Sequence, residues 1–228
     1  MFLSKKLVTN IPVVVYEKTA GNSGTITDKL VIAPGVYDIV CIGGGAGAAA
    51  AIGRSSTQSV RYWANGGIGG TVRVQVFVHK YTEIDVVVGA GSMSRTGSFS
   101  SSGASFTGVS GNPSSVSGIE NFAVSCNGGI GGNITTSGAL SATATAGAMG
   151  TTSVSGTAVK RVLINNTKDV VGSAGSVPSG STNKPLTWTN NLNWEKDPSK
   201  GAGAGVQYIN SQYLAQVGRG GYVRITKL

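Results

Sequence analysis

The chain has 228 residues, of which 36 are glycine, 40% are hydrophobic and 12% are charged. That much apolar content excludes a disordered polymer, so the glycine has to be accommodated inside a folded object, in turns, close backbone approaches or polyglycine-like extended helices. A formal charge of +9, from 18 basic against 9 acidic residues, favours anionic partners, but the basic residues are scattered and form no stripe with interleaved aromatics, which argues against nucleic acid.

IPVVVY (11–16) and TITDKLVI (25–32) are the first strand candidates. GVYDIVCI (35–42) follows the turn signal Pro34-Gly35. TVRVQVFV (71–78) alternates strictly, with Val72, Val74, Val76 and Val78 on one face and Thr71, Arg73, Gln75 and Phe77 on the other. EIDVVVG (83–89) repeats the pattern with Ile84, Val86 and Val88, and the short HKYT connection predicts an antiparallel hairpin of the two. From about 90 to 157 the chain is rich in Ser, Gly, Thr and Ala without helical periodicity, interrupted by the apolar IENFAVSC (119–126). AVKRVLI (158–164) reads as a strand. The terminal GRGGYVRITKL ends as another, and its Val223 and Ile225 need a covered face, which predicts pairing near 36–42. The hexamer NGGIGG occurs at 65–70 and 127–132, 127 − 65 = 62 residues apart. It reads either as an extended left-handed helix bonded to neighbouring chains or as two independent glycine turns. MFLSKKLVTNIPVVVY has only a short apolar run broken by Pro12, so no secretory signal is expected, and no segment is long enough to span a membrane. A soluble protein made in a reducing cytoplasm is the expectation.

VYDIVCIGGGAGAAAA (36–51) places Gly43, Gly45 and Ala48 at the three positions of a dinucleotide-binding fingerprint. The context is wrong. No helix-forming stretch follows, no carboxylate lies between Asp38 and Glu83 to hold a ribose, and the alternation of strands and helices of a doubly wound fold is missing. Cys41, Cys126 and the single His79 make no recognisable zinc site; each cysteine ends an apolar stretch, which suits buried small core residues, and a bridge between them stays open. The S-x-x-K match at 181–184 is a chance match in a Ser-rich chain, and Glu195 with Asp197 reads as solvated loop charge. No enzyme activity, cofactor or metal is expected.

The aromatics are densest late in the chain. Trp188, Trp194, Tyr208 and Tyr213 could stack on sugar faces, with Asn190, Asn191 and Asn193 pairing with hydroxyls and Lys196 and Lys200 meeting anionic groups. The competing reading has the two tryptophans anchoring a long loop to the sandwich or to a neighbouring subunit.

PGVYDIVCIGGGAGAAAA, NGGIGGTVRVQVFVHKYTEIDVVVGAGS, GSFSSSGASFTG and GRGGYVRITKL, in this order, resemble the glycine-rich domains of bacteriophage tail-fibre and related virion proteins. The likeness covers about residues 33–109 and 218–228. Alanine and serine dilute the glycine runs, and HKYT stands where a Pro-Gly turn is usual. The resemblance implies an all-β antiparallel sandwich, jelly-roll or tumour-necrosis-factor-like, with glycine-rich extended segments and long loops. Residues 1–32 would be N-terminal strands or an attachment segment, and 33–228 the glycine-rich β domain. It further implies a non-enzymatic virion component assembled in the host cytoplasm, either a tail-fibre tip or receptor-binding adhesin contacting host surface polysaccharide, or a structural head-fibre, collar or decoration protein. The expected partners are further copies of the chain in a trimer and other virion proteins, without nucleic acid or membrane insertion.

Overall fold

The computed structural model describes residues 11–165, 174–178, 188–189, 201, 203–204, 206–209 and 212–228. Every regular element among them is a strand. In chain order these are β1 (Val13–Thr19), β2 (Ile26–Ile32), β3 (Gly35–Ile42), β4 (Ala49–Arg54), β5 (Ser59–Ala64), β6 (Thr71–Val78), β7 (Thr82–Val88), β8 (Arg95–Phe99), β9 (Ser105–Thr107), β10 (Ser114–Ser117) and β11 (Ala123–Cys126). There follow β12 (Asn133–Thr136), β13 (Ala142–Thr145), β14 (Thr152–Ser155), β15 (Val159–Asn165), β16 (Ala174–Pro178), β17 (Trp188–Thr189), β18 (Gly203–Ala204), β19 (Val206–Ile209), β20 (Gln212–Ala215) and β21 (Tyr222–Lys227).

Two antiparallel five-stranded sheets, β1-β21-β3-β6-β15 and β14-β11-β10-β7-β2, face each other across the main core. Alternation builds this core directly: Val72, Val74, Val76 and Val78 of β6 point into it from one sheet, Ile84, Val86 and Val88 of β7 from the other, all at most 1% exposed. The terminal strand β21 lies where its pattern predicts, between β1 and β3, with Tyr222 opposite Ile42 and Lys227 opposite Tyr37. The expected β6–β7 hairpin does not form. β6 pairs with β3 and β15, whereas β7 pairs with β2 and β10. The connection arches from one sheet to the other, because two strands with equally apolar faces bury both by facing each other, which side-by-side pairing would not do, and the connection HKY carries none of the glycine or asparagine that a tight hairpin turn needs.

Among the described residues, seven six-residue segments without ladder pairing link this near sandwich to a second, far group of strands. They are 43–48 (β3 to β4), 65–70 (β5 to β6), 89–94 (β7 to β8), 108–113 (β9 to β10), 127–132 (β11 to β12), 146–151 (β13 to β14) and 216–221 (β20 to β21). At the rise of an extended threefold helix each spans about 19 Å. The far group is a four-stranded sheet, β16-β5-β4-β8, in which β4 and β8 run parallel, over a three-stranded sheet, β13-β12-β9. Ala49, Ala51, Tyr62, Ala64, Phe99 and Ile134 form its small core, with the Tyr62 and Phe99 rings 5.8 Å apart.

The seven segments pack as a lattice. Successive amides of the central segment donate to three different neighbours in rotation: Gly43 and Ala46 to Gly70 and Gly67, Gly44 and Gly47 to Asn112 and Val109, Gly45 and Ala48 to Arg219 and Gln216, at 2.7–3.4 Å. Moving three residues up the central chain moves three residues down each partner, which is the signature of a helix with three residues per turn among antiparallel neighbours. A fourth neighbour, 127–132, runs parallel and donates from Gly129 and Gly132 to the carbonyls of Gly44 and Gly47. Both NGGIGG hexamers lie in this lattice. Close approach explains the glycine: a Cβ on Gly44 would stand 2.7 Å from the carbonyl carbon of Ala90 and 3.2 Å from the amide nitrogen of Asn112.

Candidate functional site

The lattice separates two ends of different chemistry. Around the near sandwich, charge clusters at the strand edges. Lys18 meets Asp28 at 2.8 Å and Lys29 meets Asp85 at 3.0 Å. The Lys18 ammonium and the Tyr16 hydroxyl, which donates to Asp28 Oδ2 at 2.8 Å, hold the Asp28 carboxyl below its usual range. On the outward face of the first sheet Asp38, nearly buried, accepts from Arg73 Nε and Nη2 at 2.7–2.9 Å. Apolar side chains are also left open here, including Val13, Val14 and Val15 of the edge strand β1 and Val31 of β2.

The far end is different. Its turns are 55–58, between β4 and β5, 100–104, between β8 and β9, and 137–141, between β12 and β13. They carry serine, threonine and glutamine on short, internally bonded frames. The Ser55 amide donates to Gln58 O at 2.9 Å and the Gln58 amide to Ser55 Oγ at 3.1 Å. Ser137 N donates to Ser141 O at 2.8 Å, and the hydroxyl of Tyr62 donates to Leu140 O, pinning that turn to the far core. Gly103, at φ +87°, donates to Thr136 O at 3.1 Å. Between Arg95 and Lys160 the sequence holds a single charged residue, Glu120, so the turns 100–104 and 137–141 lie in an almost uncharged stretch, while the turn 55–58 follows the exposed Arg54.

The predicted contact residues are only partly brought together. Trp188 opens β17 and pairs in register with Ala204 of β18. Tyr208 and Tyr213 occupy directly opposite positions of the β19–β20 hairpin, which belongs to the far end because β20 packs beside β4, β5 and β8 before the chain returns through 216–221. Asn190, Asn191, Asn193, Trp194, Lys196 and Lys200 lie outside the described residues.

Sequence reading missed a second surface, the flank of the lattice. Met93, Val109 and Ile130 are 60%, 54% and 54% exposed. They stand on adjacent chains: the Val109 amide donates to Met93 O, segments 108–111 and 129–132 are cross-bonded, and the Ile130 amide donates to Ala148 O. Polar rows border this apolar one, with Asn127 Nδ2 donating to Thr151 Oγ1 at 2.7 Å on one side and Thr107 Oγ1 donating to Asn133 Oδ1 at 2.7 Å on the other. The spacing Asn127, Ile130, Asn133 is the signal that could have found it, since every third residue of a threefold helix shares a face.

The fingerprint-like segment has no open phosphate cradle. The amides of Gly43, Gly45 and Ala48 are bonded to Gly70, Arg219 and Gln216, Ala46 and Ala48 are fully buried, and the chain continues as β4 rather than as a helix. Among the described residues no three His, Cys, Asp or Glu side chains gather as a metal site, and no helix is long and apolar enough to cross a membrane. No protein-family model matches the chain, and a search of curated proteins finds no match.

Proposed function

We propose that this chain is a non-enzymatic bacteriophage virion protein, a tail-fibre tip or receptor-binding adhesin whose far end contacts host surface glycan. One observation carries the reading: seven passes through a stiff backbone lattice hold hydroxyl-rich, nearly uncharged turns and the Tyr208–Tyr213 hairpin about 19 Å beyond the near sandwich. Uncharged hydroxyls and aromatic faces suit neutral sugars, and short turns on a rigid base lose little entropy on binding. In this reading the near sandwich is the jelly-roll-like part, supported by its two five-stranded sheets and by first and last strands lying side by side. In the same reading the near end faces other virion proteins, and the assembly is a trimer. The test is adsorption of the purified chain to host cells in competition with their surface polysaccharide. Tyr208→Ala with Tyr213→Ala, or a charged insertion between Ser101 and Ser102, is expected to abolish adsorption while leaving melting unchanged. Adsorption untouched by both changes refutes the reading.

The lattice flank favours a second reading, a head-fibre, collar or decoration subunit. An apolar row bordered by asparagine and threonine, without charge, suits side-by-side packing against another virion protein. Ile130→Asp would then prevent incorporation into particles and leave cell adsorption intact.

A further inference from the structure

Cys41 is the penultimate residue of β3 and Cys126 the last residue of β11. They belong to opposite sheets, both side chains point into the main core, and both are fully buried. Facing sheets ordinarily lie about 10 Å apart. Here they converge, because the chains enter the lattice two residues after Cys41 and one residue after Cys126: a Cβ on Gly43 would stand 2.6 Å from the carbonyl oxygen of Cys126 and 2.7 Å from the carbonyl carbon of Asn127. At this convergence the Cys126 thiol donates to the carbonyl oxygen of Cys41 at 3.1 Å. The sulfur of one cysteine therefore already touches the backbone of the other.

We infer that Cys41 and Cys126 are a latent cross-link, reduced in a thiol-rich compartment and closed to a disulfide between the two sheets once the protein meets a disulfide oxidant. The inference does not depend on the proposed function. The neighbouring Cys126 thiol and burial both push the Cys41 thiol well above its ordinary range, so in the closed protein Cys41 is held as the thiol. Reaction waits for a local opening. In the open state one thiolate attacks a sulfur of a small disulfide such as glutathione disulfide, forming a mixed disulfide and releasing one glutathione thiol. The second thiolate then attacks the protein sulfur of that mixed disulfide and releases the other. Two protein thiols are oxidised, the oxidant's one disulfide is reduced to two thiols, and the two protons pass to solvent or to the released thiolates. The bond closes a loop of 126 − 41 = 85 residues, long enough for a large restriction of the unfolded chain.

The test uses the full chain purified under reductant and then held with glutathione disulfide, with and without a sub-denaturing concentration of urea. The expected product is a monomer lighter by two hydrogens, with both cysteines protected from iodoacetamide after denaturation. Its melting temperature should rise by roughly 10 °C, reversed by dithiothreitol, and urea should accelerate its formation. Cys126→Ala and Cys41→Ala should each give no such product. Three outcomes overturn the inference: glutathione adducts without the internal bond, disulfide-linked dimers, or an internal bond that lowers the melting temperature.

Discussion

Gly44→Ala tests the lattice at its centre. The added Cβ would lie 2.7 Å from the Ala90 carbonyl carbon, against about 3.5 Å for ordinary carbon contact, and the Ala90 carbonyl oxygen is closer still. All of these atoms are backbone, so no side chain can rotate away and the two chains must part by close to 1 Å. Three hydrogen bonds hang on that spacing: Gly44 N to Asn112 O and Gly129 N to Gly44 O, both 2.9 Å, and Asn112 N to Ala90 O at 3.0 Å. Leaving two or three such buried groups badly paired costs about 3–6 kcal/mol, offset by about 0.4–1 kcal/mol from the stiffer unfolded chain. For a protein of this size that is a fall in melting temperature of roughly 5–20 °C. The matched control is Gly138→Ala, where the new Cβ would meet only Ser141 side-chain atoms at 3.7 and 3.8 Å; it should be neutral or slightly stabilising. Calorimetry on both variants checks the argument, and a Gly44→Ala protein melting within about 2 °C of the parent refutes it.

Ser114, fully buried, accepts from Gly89 N at 2.9 Å and donates to Ile42 O at 2.7 Å, so Ser114→Ala strands one donor and one acceptor and should cost about 2–4 kcal/mol in urea unfolding. Asp38→Ala removes the carboxylate bonded to Arg73 and should cost about 3–5 kcal/mol, much of it regained when Arg73→Leu is added, as a double-mutant cycle would report. Because Asp28 is held below its usual range, its contribution is present above the ordinary carboxylate pKa and fades as pH falls through the lowered folded value; Asp28→Asn should flatten the acid limb of the stability profile. Deleting residues 221–228 removes a strand flanked on both sides and should leave the product in the insoluble fraction.

The near sandwich was legible where alternation is strong. Val72 to Val78, Ile84 to Val88 and the terminal Val223 and Ile225 each declared an inward face, and that face is buried. Which strand pairs with which was less legible, as the β6–β7 crossing shows, because alternation fixes a face and not a neighbour. In the far group β4 buries alanines, and β8, β9, β12 and β13 are three to five residues long with one or two apolar side chains each, too little for a period of two to emerge from serine and threonine. The hexamers were recognised, but not the different fates of their isoleucines: Ile68 is 1% and Ile130 is 54% exposed, a difference set by position in the lattice and invisible in identical local sequence. Of the aromatic surface, the opposition of Tyr208 and Tyr213 follows from a hairpin that QYINSQYL did not announce.

The threefold rotation of amides along the lattice makes the height of the molecule a quantised property. Inserting one residue into the central segment would turn every later amide by about 120° and aim it at the wrong neighbour, whereas three residues restore its bearing at a rise of about 9 Å. Three extra residues in one segment alone would still push the two ends out of step with the other passes. The tower can lengthen only when every pass grows together by whole turns, so the separation of its two ends is protected against single insertions and deletions far more strictly than the turns at either end.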